Sequence, residues 1–215
     1  MFLGGAIVPL LLDNPGLADI RQTMDIDLAV DVVTRLDYSK IEEELIALRF
    51  APDTSEDAPK CRWKIDGLKV DVMPGKDPTG EWRVRWFDVA LETAETRVVD
   101  DTPCFIATAP SFIATKMEAF ADRGKGDFLA SHDMEDIIAV IDGRASLEAD
   151  VRASSNALRT YIADTMAAYI ENEAFLESLS GHLPPDAASQ QRLPGLIKKV
   201  HALAAIAPEG SEESA

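Results

Sequence analysis

Apolar and polar positions alternate along the first half of the chain, a pattern typical of strands separated by turns. Residues 2–12 predict a short strand, a Gly-Gly turn and the start of a helix, and residues 13–16 have the Asp-Asn-Pro-Gly composition of a loop. In residues 23–30 the apolar side chains alternate, so Asp25 and Asp27 share one face of a predicted strand.

A helix and a hairpin are predicted next. In residues 38–50 apolar residues recur at helical spacing with glutamates between them, which predicts a surface helix. Residues 61–65 and 68–73 flank Asp66-Gly67, a strong signal for a two-residue hairpin turn. Further short strands are predicted at 81–89, 96–99 and 105–108.

The pattern becomes helical after residue 110. Ser111 is the predicted N-cap of a helix through Ala121, and Ser131 that of a helix ended by Gly143. Further helices are predicted at 146–179 and 192–206.

These elements predict an α+β fold, a mixed sheet packed with helices. The expected organisation is a catalytic core over 1–145, a helical C-terminal region over 146–206 and a disordered acidic tail over 207–215.

The charge balance narrows the classes of partner. The net charge is −17 and the pI is about 4.5, which argues against broad, sequence-independent nucleic-acid binding because that requires a cationic surface. It fits a protein that holds divalent cations and meets a small charged ligand through them. The absence of a run of about 18 apolar residues argues against a membrane span. The two cysteines lack metal-ligand spacing, so a reduced, cytoplasmic setting is expected.

A third carboxylate joins the Asp25–Asp27 pair. Asp71 interrupts the apolar residues of the second hairpin strand, between Val70 and Val72. Three carboxylates on adjacent strands are the ligand set that two Mg²⁺ ions need for phosphoryl displacement. The alternative reading of Asp25 and Asp27 is a solvent-facing pair, which is common on strands.

The other candidate residues are two glycines before a predicted helix and several charged residues on or beside the apolar faces of predicted helices. Gly4-Gly5 precedes a helical run, where backbone amides bind phosphate, although a packing turn is the alternative. Lys116 borders the buried stripe of its helix and either snorkels to solvent, the favoured interpretation for a single residue, or reaches a ligand. Asp136 lies on the predicted buried side of the next helix. A favourable interaction with the helix dipole explains an aspartate at position 133 well, but it explains one at position 136 poorly.

In this order the residues resemble a known group of enzymes. The series is Gly4-Gly5, Thr23-x-Asp25-x-Asp27, Asp71, Lys116, Arg123-Gly-Lys-Gly-Asp127 and Ser131-His-Asp133-x-Glu-Asp136. Over residues 2–144 the chain resembles the nucleotidyltransferases of the AbiEii/AbiGii toxin type, within the polymerase-beta-like superfamily.

The resemblance implies a nucleotidyltransferase fold and a two-metal reaction. The enzyme would move a nucleoside monophosphate from an NTP to an acceptor hydroxyl, on tRNA or a protein, and release pyrophosphate. Asp25, Asp27 and Asp71 would hold two Mg²⁺ or Mn²⁺ ions, and Asp71 would activate the acceptor. Some relatives are toxins with a separate antitoxin protein, which would then be a partner.

Nucleotide-binding roles also follow from the resemblance. Gly4 and Gly5 would line the triphosphate pocket, with Thr23 beside them. Lys116 would contact the phosphates. The nucleotide site would be completed by Arg123, Asp133 and Asp136. Asp133 or Asp136 would position either Lys116 or the nucleotide base.

Three departures from the family pattern leave alternatives open. Gly5 stands where relatives have serine, the spacing from Gly5 to Asp25 is longer, and the chain begins almost on the first strand, so its start is expected to be truncated or misassigned. The alternatives are a non-catalytic nucleotide-binding or toxin–antitoxin partner protein on the same fold, and an interaction domain whose aspartates are solvated.

Overall fold

The structure, a computed structural model, describes residues 1–13, 20–32, 34–76 and 85–206. These residues belong to two units. The first comprises the described residues of Met1–Ile7 and Gln22–Ser111, and the second those of Val8–Arg21 and Phe112–Ala215. Among the described residues, no helix is both long enough and apolar enough to cross a membrane.

A mixed sheet forms the framework of the first unit. Its strands are β1 (Phe2–Leu3), β2 (Asp25–Val30), β3 (Ala51–Pro52), β4 (Arg62–Ile65), β5 (Leu68–Pro74), β6 (Glu95–Val99) and β7 (Thr102–Ile106). Within the described ranges the seven strands lie in the order β3-β4-β5-β2-β1-β7-β6. The β1–β7 and β2–β5 pairs are parallel, and the other neighbours are antiparallel.

Helix α2 (Arg35–Ala47) packs on one face of this sheet. Leu45 of the helix lies in a buried apolar cluster with the strand residues Trp63, Val70 and Val72. Because successive side chains of a strand point to opposite faces, the intervening residues of β2 and β5 lie on the other face of the sheet. That second face carries the three predicted carboxylates.

A tight turn sets the register of the central hairpin. Asp66 and Gly67 join β4 to β5 and both have positive φ, 49° and 83°, as a twist-matched two-residue turn requires. The pairing that follows from this turn places Arg62 directly opposite Asp71. The predicted hairpin is confirmed.

Most of the helices belong to the second unit. Helix α3 (Phe87–Glu92) still belongs to the first unit, and α4 (Ala109–Arg123) contributes residues to both. The others are α1 (Val8–Leu11), α5 (His132–Gly143), α6 (Leu147–Ala153), α7 (Asn156–Ile170), α8 (Glu173–Ser178), α9 (Ala187–Gln190) and α10 (Leu193–Ala204).

Apolar faces at helical spacing give the second unit its own core. Helix α5 buries Ile137 and Ile141, and α7 and α10 bury equivalent stripes. Four aromatic rings extend this core, with neighbouring centroids 5.0–5.7 Å apart; they belong to Phe120, Phe128, Tyr169 and Phe175. The α+β prediction and the helical second half are therefore confirmed.

The predicted strand at 81–89 is wrong in its described part. Residues 81–84 lie outside the described residues, and residues 87–92 form helix α3. The two buried side chains here, Trp86 and Ala90, are four residues apart, which is the spacing of one helix face. The alternation that suggested a strand lies mostly in the preceding residues.

Boundaries elsewhere shift for local reasons. Helix α2 begins at Arg35, earlier than predicted, because the Thr34 hydroxyl accepts a hydrogen bond from the Asp37 amide. Ser111 is not an N-cap: it is buried inside α4, and its hydroxyl lies 3.0 Å from that of Thr108. The last strand, predicted at 105–108, lies at 102–106.

Ser131 does precede helix α5, which ends at Gly143 as predicted. The predicted tail at 207–215 lies outside the described residues, and the predicted domain boundaries stay a prediction.

The Asp66-Gly67 turn yields a stability prediction. Gly67→Ala is expected to destabilise the protein by about 1–2 kcal/mol, because an L side chain is strained at positive φ. Gly195 in α10 is the control, since an added Cβ would meet nothing within 4 Å at either position. Gly195→Ala is expected to stabilise by up to about 1 kcal/mol, because alanine favours the helix. Urea unfolding measures both changes, and effects of the same sign would contradict the assignment.

Candidate functional site

Three aspartates of the first unit lie together on the face of the sheet opposite helix α2. Asp27 and Asp71 are directly paired across the parallel strands β2 and β5. Asp25 lies two residues before Asp27, so its side chain points to the same face. The structure therefore brings the three predicted carboxylates together, and we call them the acidic cluster.

An arginine that the sequence reasoning missed binds this cluster. Arg62 faces Asp71 across the hairpin and donates two hydrogen bonds to it, each 2.7 Å long, from Nε to Oδ1 and from Nη2 to Oδ2. Its Nη2 also lies 3.1 Å from Oδ2 of Asp25. Hydrogen bonding to Asp71, followed by the charges of both aspartates, raises the pKa of the Arg62 guanidinium against the opposing effect of burial. Arg62 is therefore a permanent cation inside the acidic cluster.

Two neighbours fix the other carboxylates. Gly4 has φ of 70°, and a Cβ built on it would lie 1.8 Å from Oδ2 of Asp27. Only a glycine leaves room for the Asp27 carboxylate at this point of the sheet. The hydroxyl of Thr23 donates to the backbone oxygen of Asp25 at 2.9 Å and lies 3.3 Å from Oδ1 of the same residue. Gly4 and Thr23 thus shape the acidic cluster.

Gly4 and Gly5 follow β1 and precede a helical run, as predicted, but Gly5 does not begin an α-helix. It opens a 3₁₀ turn, Gly5–Ile7, and the α-helix that follows, Val8–Leu11, is only four residues long. The phosphate-binding role of Gly4 and Gly5 stays a prediction.

Cys61, next to Arg62, is a buried thiol. Burial, and then the charge of Asp71, raise its pKa to about 12. Both effects favour the neutral thiol over the thiolate.

The three carboxylates of the acidic cluster are the type of ligand that a divalent cation prefers, but Arg62 already forms ion pairs with two of them. Three hard carboxylates share one face, and the space that Gly4 leaves is filled by one of them. However, two of the three, Asp25 and Asp71, are paired with Arg62. Among the described residues no group of three or more His, Cys, Asp or Glu side chains is arranged to hold a metal ion. Binding of an ion there requires the Arg62 contacts to open.

A second set of charged residues lies in the second unit, and we call it the lysine cluster. Lys116 of α4 is buried, and its Nζ lies 3.0 Å from Oδ1 of Asp133 and 2.7 Å from Oδ2 of Asp136, both on α5. Buried charges persist only when they are paired. The expectation that Lys116 snorkels to solvent is therefore wrong, and both aspartates position it.

Each aspartate of the lysine cluster also has an arginine. Arg123 donates from Nε and Nη2 to the two oxygens of Asp133, at 2.7 and 2.8 Å. Arg21 donates in the same manner to Asp136, both bonds at 2.9 Å. Lys116 and the two arginines thus share the carboxylates of Asp133 and Asp136.

These contacts alter the acidity of Asp133. Burial alone would raise its pKa, but the hydrogen bond from Arg123 and the charge of Lys116 outweigh burial and hold the pKa below its ordinary value. The side-chain partners of Asp133 therefore favour its charged form.

The predicted site residues thus fall into two groups. The acidic cluster and its neighbours Gly4 and Thr23 belong to the first unit, and Lys116, Arg123, Asp133 and Asp136 belong to the second. The residues missed are Arg62 and Arg21. The turn at Asp66-Gly67 could have revealed Arg62, because a two-residue turn fixes which residue faces Asp71. No local signal pointed to Arg21, which is 115 residues from its partner Asp136.

Comparisons with known proteins concern the fold. Neither the protein-family models nor the curated proteins give a match to this chain. Among solved structures, the chain is similar to an antigenic nucleotidyltransferase-like protein from Paracoccidioides brasiliensis, with a TM-score of 0.51 and 19% sequence identity. The likeness covers 83% of this chain and 82% of that one. The fold is therefore an α+β, nucleotidyltransferase-like fold, as the sequence predicted.

Removing the lysine from the lysine cluster is expected to destabilise the protein strongly. Lys116→Met keeps the length of the side chain but leaves the two arginines alone with the buried aspartates, and we expect a loss of about 3 kcal/mol. The control is Lys40→Met, which removes an exposed ion pair with Asp37 and should cost less than about 1 kcal/mol. Urea unfolding compares the two variants. A similar small effect for both would contradict a buried, paired Lys116.

Acid should weaken the same cluster. Because the pKa of Asp133 is lower in the folded protein than in the unfolded chain, its contribution to stability is complete above the unfolded value, about 3.9, and is lost as the pH falls through the folded one. Unfolding free energies measured from about pH 6 to about pH 3 should therefore fall more steeply for the wild type than for Asp133→Asn. Parallel pH dependences would show that Asp133 is not held ionised by its partners.

Proposed function

We propose that this chain is a nucleotidyltransferase that moves a nucleoside monophosphate from an NTP to an acceptor hydroxyl and releases pyrophosphate. The observation that carries the proposal is the direct pairing of Asp27 with Asp71, with Asp25 on the same face of the sheet, on a nucleotidyltransferase-like fold. A solvated, unrelated set of aspartates would not need to be paired across strands or to have a glycine beneath one carboxylate.

In the proposed site the acidic cluster binds two Mg²⁺ or Mn²⁺ ions. Such ions supply charge neutralisation and alignment for phosphoryl displacement. Asp71 is proposed to accept the proton of the acceptor hydroxyl, and Thr23 to orient Asp25 through its hydrogen bonds. Gly4 keeps room for Asp27.

Phosphate-binding roles are proposed for further residues. Lys116 is proposed to contact phosphate oxygens, supported by its place in a cluster with the cationic side chains of Arg21 and Arg123. Asp133 and Asp136 hold its ammonium in one position, and Arg123 supplies further positive charge. Gly5 is proposed to offer its backbone to the triphosphate, without the hydroxyl of the serine found in relatives.

The finer proposal is an AbiEii/AbiGii-type toxin that acts inside the cytoplasm and is controlled by an antitoxin protein. It rests on the order of site residues along the chain. An RNA end, such as that of tRNA, or a protein hydroxyl would be the acceptor. The net charge of −17 favours the protein acceptor, because RNA backbones are repelled by an acidic surface.

A second candidate is a non-catalytic nucleotide-binding or antitoxin-binding protein on the same fold. The bidentate contact of Arg62 with Asp71 favours it, since a carboxylate held by an arginine in the resting state is not available for catalysis. This candidate predicts nucleotide binding without turnover over all acceptors tested.

The distinguishing variant is Asp27→Asn, which keeps the shape of the side chain and removes the charge. With α-labelled NTPs, Mg²⁺ and pools of RNA and protein, the wild type should label an acceptor and the variant should be slower by at least about 10²-fold, because a metal ligand contributes several kcal/mol. Glu43→Gln, at an exposed position of α2, is the control and should label normally.

Four results separate the possibilities. Labelling that needs Asp27 supports the enzyme, and growth arrest on expression that is relieved by Asp27→Asn supports the toxin type. Labelling that is unchanged in Asp27→Asn refutes the proposed site. NTP binding by the wild type with no labelled acceptor favours the second candidate.

A further inference from the structure

Resting on the proposed function, we propose that Arg62 is the built-in counter-ion of the acidic cluster, and that a divalent cation binds by displacing it. Arg62 would then be a positioning residue that sets how tightly the site takes its metal. The inference concerns this chain's own arginine, which the series of residues resembling known nucleotidyltransferases does not include.

The geometry of Arg62 is that of a bound ligand. Its guanidinium forms a two-pronged contact with Asp71 and a third contact with Asp25, so one cation meets three carboxylate oxygens. Paired, parallel hydrogen bonds of this kind are the strongest that an arginine makes with a carboxylate. The oxygens that Arg62 occupies are the ones a metal ion needs.

Charge explains why the cluster needs such a partner when no metal is bound. Three carboxylates that share one face of a sheet repel each other. Two lysines share this face of the hairpin: the ammonium of Lys64 lies 2.7 Å from Asp53, and Lys69, which is paired with Asp25 in register, is exposed. Arg62 therefore stabilises the acidic cluster in the metal-free protein.

The same residue has a route out of the site. The side chain of Arg62 is 18% exposed and that of Asp25 is 36% exposed, so the cluster borders solvent. An arginine on a flexible stem can rotate into water, where its charge is fully hydrated. Displacement then costs the Arg62 hydrogen bonds, and that cost lowers the apparent affinity for the metal.

Variants at position 62 test this exchange without any need for substrate. Mn²⁺ binding is measured by titration with electron paramagnetic resonance or calorimetry. Arg62→Gln removes the competing charge and should bind Mn²⁺ about tenfold more tightly, the scale expected for removing one adjacent like charge. Arg62→Lys keeps the charge but loses the planar fork and should bind about threefold more tightly.

The matched control is Lys64→Gln. It removes one positive charge two residues away on the same strand, from a side chain paired with Asp53, and should change the dissociation constant by less than about twofold. Melting curves give a second readout: without metal Arg62→Gln should melt below the wild type, and Mn²⁺ should raise its melting temperature by more than it raises that of the wild type.

Each result counts for or against the exchange. Unchanged or weaker Mn²⁺ binding in Arg62→Gln overturns it, as does equal tightening in Lys64→Gln. If Arg62→Gln fails to fold, a wild-type affinity in Arg62→Lys overturns it. Absence of Mn²⁺ binding in both the wild type and Arg62→Gln overturns the metal site and the inference together. Tighter binding in Arg62→Gln with no nucleotidyl transfer by the wild type supports the exchange while the catalytic proposal fails.

Discussion

Parallel pairing between β2 and β5 is the constraint on which the chemistry of the first unit depends. It aligns Asp27 with Asp71, although the two residues are far apart in sequence. The pairing is held from below by the apolar cluster under the sheet, where Leu45 of α2 meets Val70 and Val72. Because side chains alternate along each strand, burying one face against α2 necessarily presents the carboxylates on the other. Apolar packing against α2 on one face thus keeps the three carboxylates close together on the other face, although they repel one another.

The two units resolve the problem of concentrated charge in different ways. In the first, one arginine at the edge of solvent serves two aspartates, and the third aspartate fills the space beside a glycine. In the second, Lys116 is removed from water and each of its aspartates has an additional arginine. The first arrangement borders solvent, because the side chain of Asp25 is 36% exposed, whereas the second resists opening because Lys116 and both aspartates would be buried charges if they were unpaired.

Sequence reasoning succeeded where the determinants are local. The two-residue turn at Asp66-Gly67, the alternation around Asp25 and the helix after Ser131 could all be predicted because their signals lie within a few residues. It failed for α3, because the alternation that suggested a strand lies mostly in the residues that precede this short helix.

The partners of the charged residues were harder to predict than the residues themselves. Lys116 was recognised as out of place, but its buried state depends on two carboxylates of another helix and could not be derived from one helix alone. The ion pair between Arg21 and Asp136 joins residues 115 positions apart, and nothing in either neighbourhood encodes it. Long-range pairing of this kind is set by tertiary packing rather than by periodicity.

The hairpin turn has a consequence for how this gene can vary. Surface turns usually tolerate an added or deleted codon. Here one extra residue between β4 and β5 would shift the strand by one position and move Arg62 to the face that packs on α2. Among homologues, this loop should therefore keep its length of two residues, with glycine favoured at its second position, where φ is 83°.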